Sequence, residues 1–342
     1  MSKPRSILDL REVQGDPSAP RDVADELSVG LSAEEQLLNH PLLNHTVIRT
    51  DPCNEAYLEG KRRLCFGFNG FSLLGERGMG LKSALVSFKL QLLQDFPSIA
   101  VAEIVLRRDA PQTCRARWQA LLGELGHGVL GGSIEEMRRR VLWMLEERLY
   151  GSPHRHLALF IRNIEYLDPG MTNILLDVSD ALGRRGFKLF TIGCGNLSQF
   201  SANLANAGDL AAKDVQLLLG STYVLRSLNT EQDLATILDA IDTTPLGRDD
   251  PRSWGAVFLP EAYQGGFRLK NESEILLSAI VKTPSRNVTV HNLFDAIRWV
   301  LVMNARRDSR DFALVDRAWE DALFVVRATK LTFSLEDPPD GA

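Results

Sequence analysis

The run from Phe71 to Val86, FSLLGERGMGLKSALV, constrains this chain more than any other stretch. Apolar residues lead into a turn punctuated by glycines, and apolar residues at helical spacing follow, which predicts a strand, a tight turn and a helix. Such a turn holds phosphate when its glycines let successive backbone N–H groups face inward, a Lys reaches the β and γ oxygens, and a Ser or Thr holds Mg²⁺. Gly75, Gly78, Gly80, Lys82 and Ser83 occur in that order. The spacing departs from G-x-x-x-x-G-K-[ST], because Leu81 stands between Gly80 and Lys82. Two registers are open. Either the loop carries a one-residue insertion, or Lys82 and Ser83 keep register and the glycines at the first and sixth positions are lost. A glycine-rich turn with no ligand is the competing reading. The phosphate reading makes these five residues a nucleotide site, with Ser83 on the metal and ATP and Mg²⁺ as cofactors.

From Arg63 on, short apolar runs alternate with helical stretches, which predicts an α/β fold with a five-stranded parallel sheet and flanking helices. The strands are expected at Phe68–Leu74, Ala100–Arg107, His156–Asn163, Lys188–Cys194 and Thr222–Leu228. After Thr230 apolar spacing near 3.6 predicts a small all-α lid domain. The expected organisation is a disordered tail over residues 1–30, the α/β core over 31–229, the lid over 230–330 and a tail over 331–342. A length of 342 residues accommodates two domains, and 44% apolar with 24% charged residues is an ordinary globular composition. The net charge of −5 gives no overall electrostatic case for nucleic acid, so such a case rests on a local basic patch. The cysteines Cys53, Cys65, Cys114 and Cys194 form no C-x-x-C pair, and no apolar run is long enough to span a bilayer. A reduced, cytoplasmic protein is expected.

A phosphate-loop sheet followed by helices resembles the plan of AAA+ proteins, which tells where the other parts should stand. The strand that ends in Asp-Glu in a competent ATPase, the Asp supporting Mg²⁺ and the Glu activating water, is here HLALFIRNIEYL. It offers Arg162, Asn163 and Glu165 as the catalytic candidates. Arg162 brings charge without coordinating a metal, and Asn163 takes no proton. Glu165 shares Asn163's side if the strand continues and is the partial substitute, against the plainer reading of a solvated glutamate. FKLFTIGCGN ends in Asn196, the place of the first sensor of the γ-phosphate, and Gly265-Gly266-Phe267-Arg268 has the form of the second, with a surface arginine as the alternative for Arg268. The interval where an arginine finger belongs holds no Arg and only Lys213 as a cation; Arg184 and Arg185 are candidate substitutes, against the plainer reading of basic residues drawn to a helix C-terminus by its dipole. After the second strand come Arg107, Arg108, Arg115 and Arg117, which could track a DNA backbone in an assembly, and Arg138, Arg139 and Arg140 follow on the next helix; solvated helix faces are the plainer reading, above all for the last three.

Taken together, the chain resembles the AAA+ regulator ATPases of transposons, the TnsC and TniB group, over Leu38 to Leu323. The resemblance rests on GERGMGLKS, LALFIRNIEYL, KLFTIGCGN and, most specifically, WGAVFLPEAYQGGFRL. It implies a homo-oligomer, ring or helical filament, wound on double-stranded DNA and linking a target-selection protein to the transposase. The departures all fall on hydrolysis, which is expected to be impaired or absent. A nucleotide-free AAA+-like structural adaptor and a signalling or defence ATPase are the alternatives.

Overall fold

The structure, a computed structural model, describes residues 40–42, 47–109, 113–247, 250–283, 288–315 and 317–335, with side chains to residue 327. The chain divides into two units, Met1–Thr46 and Val47–Ala342, and the sheet with its helices belongs to the second. The tail expected over residues 1–30 and residues 336–342 of the tail expected over 331–342 lie outside the described residues, while residues 331–335 of that tail continue a helix.

The second unit opens with α1 (Asp51–Cys65), then β1 (Gly70–Gly75), α2 (Leu81–Asp95), β2 (Ala100–Val105), α3 (Cys114–Glu124), α4 (Ile134–Tyr150) and β3 (His156–Arg162). A single 3₁₀ turn, Ile164–Tyr166, leads to α5 (Pro169–Arg184), β4 (Lys188–Asn196), α6 (Leu197–Asn206), α7 (Asp209–Leu219) and β5 (Ser221–Val224). The five strands form one sheet in the order β2-β3-β4-β1-β5, and every adjacent pair is parallel. This is the expected α/β class. Helix α1 is not among the expected elements, although Pro52 just after Asp51 is a helix-start signal.

Alternation along the strands explains why the sheet is covered on both faces. Leu157, Leu159 and Ile161 of β3 join Trp118, Leu122, Val141, Leu175 and Leu218 in one core. Ala158 and Phe160, one residue out of phase, join Phe71, Leu73, Phe88 and Phe190 in the other. There Phe88 meets Phe71 at 5.8 Å and Phe160 edge-on at 6.1 Å between ring centroids. The sheet is tight enough that Gly220, at φ 64°, lies on the Gly70 backbone, where a Cβ would collide with the Gly70 carbonyl.

The remaining described helices are α8 (Glu231–Thr243), α9 (Trp254–Phe258), α10 (Pro260–Gln264), α11 (Ser273–Lys282), α12 (Val290–Asn304) and α13 (Ala318–Leu335). The helical C-terminal region is therefore as expected in type. One of its attachments to the sheet and its helices is Arg226, two residues beyond β5. The guanidinium bonds Glu55 of α1 at 2.8 Å and both oxygens of the buried Asp233 in α8 at 2.7 and 2.9 Å. Asp233 also closes a capping box with Thr230 at the start of α8. Among the described residues no helix is long and apolar enough to cross a membrane.

Candidate functional site

Strand β1 ends at Gly75 and α2 begins at Leu81, so the turn consists of Glu76 to Gly80. The extra residue is therefore in the first turn of the helix and not in the loop. Gly75 and Gly80 keep the spacing of the first and sixth positions of the phosphate-loop pattern, and Leu81 stands where that pattern has Lys. Gly78 and Gly80 have φ of 81° and 78°, left-handed values that glycine adopts without strain. Gly80 caps α2 without a side chain, which leaves the first N–H groups of the helix without intrahelical partners and with the positive end of its dipole facing the turn. Lys82 and Ser83 are exposed and have no side-chain partner among the described residues. Leu81 instead folds back, its methyl 3.3 Å from where a Gly75 Cβ would lie. Its carbonyl accepts from Cys194 Sγ at 3.6 Å, and burial pushes that thiol up to about 12.

Gly75 is in register with Asn196 at the end of β4, which places the expected first sensor beside the turn. Both ends of its amide are engaged. Oδ1 accepts from Gln199 N at 2.8 Å, capping α6, and Nδ2 donates to Glu76 Oε2 at 3.5 Å. Ser198 Oγ donates to the other Glu76 oxygen at 2.6 Å. A carboxylate thus stands at the second position of the phosphate-loop pattern.

The three residues expected at the catalytic strand end are engaged elsewhere. Arg162 Nε lies 3.1 Å from Glu103 Oε1, an ionic contact whose angle is too poor for a hydrogen bond. Asn163 has φ 59°, the one non-glycine residue with positive φ among those described; asparagine tolerates this conformation better than most. Its Nδ2 donates to Leu106 O at 3.0 Å, closing the exit of β2. Glu165 is buried over Gly195 and accepts the Asn196 N–H at 3.1 Å. It is a structural bracket between the exits of β3 and β4, not a solvated glutamate.

Arg268, expected to reach the nucleotide, bonds Tyr263 O at 2.9 Å and Phe267 O at 2.6 Å and lies over the Tyr263 ring. The helical region instead reaches the glycine turn through the start of α12, where His291 N donates to Gly78 O at 3.3 Å. Nothing local in the sequence marks that contact; Thr289 announces a helix start, not its neighbour.

The basic residues divide. Arg108 and Arg115 are exposed with no partner among the described residues, and Arg107 is exposed although it reaches Glu124 at 3.2 Å. Arg117 is mostly buried, packs over Gly170 and holds Asp168 through Nε and Nη2 at 3.2 and 2.9 Å. Arg138 grips Asp177 with two bonds, Arg139 lies over Trp143, and Arg140 donates to Gly131 O.

The residues present fit the phosphates of a nucleotide better than its metal. Backbone N–H groups, a helix N-terminus, Lys82 and Ser83 suit an anion. For Mg²⁺ the described residues around the turn offer the Ser83 hydroxyl, while the Glu76 carboxylate is bonded by Asn196 and Ser198, the β3 exit presents Arg162 and Asn163, and Glu165 is turned away. Among the described residues no group of three or more His, Cys, Asp or Glu side chains could hold a metal ion.

No family model matches the chain, and no curated protein sequence matches it. Solved structures similar to it include the Orc1 protein of Aeropyrum pernix in complex with DNA, at 14% identity and TM-score 0.49, covering 87% of this chain and 72% of that one. The Drosophila origin recognition complex bound to DNA gives 14% and 0.49, covering 96% and 73%. Domain III of the Thermotoga maritima replication initiation protein DnaA gives 14% and 0.42, covering 83% and 94%. Likeness at this level says nothing about activity.

Proposed function

We propose that this chain is an AAA+-type regulator of DNA transposition that binds ATP at Gly75–Ser83 and hydrolyses it slowly or not at all. In this reading it assembles as a homo-oligomer on double-stranded DNA and joins a target-selection protein to a transposase. The observation that carries it is the asymmetry of the site: an uncapped helix N-terminus behind two left-handed glycines, with Lys82 and Ser83 free, beside a β3 exit with no available carboxylate. The first half suits phosphate and the second half supplies neither a metal ligand nor a base. Each missing element of such a site typically removes a factor of about 10² or more from the rate. Arg107, Arg108 and Arg115 form the exposed basic edge offered to DNA, while Arg117 contributes only through its hold on Asp168.

The test is calorimetry with ATP and a non-hydrolysable analogue, alongside phosphate release and electron microscopy on duplex DNA. The reading expects heat of binding that Lys82→Ala abolishes, phosphate release near background, and an ordered coat on DNA that needs ATP. Rapid phosphate release lost in Lys82→Ala would overturn the hydrolysis half. A coat that forms equally without nucleotide would favour a nucleotide-free adaptor, a second reading motivated by Leu81 at the position of the phosphate-loop lysine.

A further inference from the structure

The start of α12 is seated on the very glycines that make the turn a phosphate cradle. A Cβ at Gly78 would lie 2.8 Å from Thr289 Cβ and 2.9 Å from its methyl, and one at Gly80 would lie 3.4 Å from a Val290 methyl. With His291 N on Gly78 O at 3.3 Å, three consecutive residues cover the turn. The Thr289 hydroxyl is not available to a ligand in this arrangement, because it caps α12 by accepting from Asn292 N at 3.1 Å. The absence of side chains at Gly78 and Gly80, which allows a phosphate to approach the backbone closely, here allows another segment of the same chain to do so.

We propose that Thr289 and Val290 are an autoinhibitory plug: seated, they fill the space over Gly78 and Gly80 that phosphates require, so ATP and the start of α12 compete for one turn. This rests on the reading of Gly75–Ser83 as a nucleotide site and adds its regulation. Whatever loosens α12 raises nucleotide affinity, and nucleotide displaces α12 in turn. Arg226, which holds α8 to α1 from the other end of the helical region, keeps that region attached when the seat is vacated.

The competition is measurable because the apparent dissociation constant equals the intrinsic one divided by the fraction of molecules with the turn uncovered. Thr289→Gly removes the methyl and keeps an acceptable helix cap; Val290→Ala trims the second contact and leaves the cap untouched. Titrating the full-length protein and each variant with a non-hydrolysable ATP analogue should show roughly five- to tenfold tighter binding in the variants. Hydrogen exchange on the wild type should show the peptide over residues 288–294 exchanging faster when the analogue is added, while residues 81–84 exchange more slowly. Equal affinities in all three proteins, with residues 288–294 gaining protection on binding, would overturn the plug and leave the nucleotide site standing. No binding by the wild type or either variant would overturn the nucleotide site and the plug together.

Discussion

The exits of β1 and β3 lie on the same edge of the sheet, separated only by β4, and the chain has treated them in opposite ways. At β1 the backbone carries the arrangement: left-handed Gly78 and Gly80 open an uncapped helix, and Lys82 and Ser83 remain unengaged. At β3 each polar side chain is tied into the fold: Arg162 to Glu103, Asn163 to the Leu106 carbonyl, Glu165 to the Asn196 N–H. Anion binding and hydrolysis can therefore be lost independently. In the proposed reading the first rests on backbone direction together with the charge of one unengaged lysine, Lys82. The second needs carboxylates with free lone pairs, and a carboxylate recruited as a structural acceptor has none to offer in the right place.

The contrast between the exits is probed most forcefully at the wall that supports them. Phe160, fully buried in β3, packs edge-on against Phe88 of α2, the helix that the β1 turn opens, and Phe160→Ala should cost about 3–5 kcal/mol in urea unfolding; a loss under about 1 kcal/mol would mean the edge is not rigidly held. Glu165→Ala, which strands the buried Asn196 N–H, should destabilise by about 1–3 kcal/mol without altering phosphate release. A drop in phosphate release with unchanged stability would restore Glu165 to a catalytic role. Asn163→Ala should cost about 1–2 kcal/mol for its left-handed backbone, and Asn163→Gly should recover most of that. If the two variants have equal stability, the conformation at the β3 exit is not what selects asparagine. Smallest in stability and most pointed in function is Lys82→Ala. It should move unfolding by no more than about 0.5 kcal/mol, as for an unengaged surface residue, while calorimetry loses the ATP signal. A clear destabilisation would show that Lys82 also is tied into the structure, and the asymmetry between the exits would vanish.

Much of the fold is legible in the residues themselves. The alternation of Leu157, Leu159 and Ile161 with Ala158 and Phe160 specifies a strand covered on both faces, and the glycines from Gly75 to Gly80 specify the turn. The site is legible only as a set of candidates. Arg117 and Arg115 stand two residues apart on one helix, yet Arg117 is drawn under by Asp168 while Arg115 stays in solvent. Arg268 satisfies a G-x-x-R pattern but closes its own turn against Tyr263 and Phe267.

The periodic parts, the order of strands and helices and the glycine turn are written in the residues alone, because period and backbone freedom are properties of neighbours along the chain. That Leu81 belongs to α2, that Glu165 braces Asn196 and that Thr289 rests on Gly78 emerge only in three dimensions. Those outcomes depend on which elements the sheet order brings together, and a charged or polar side chain takes its role from the partner it meets through space.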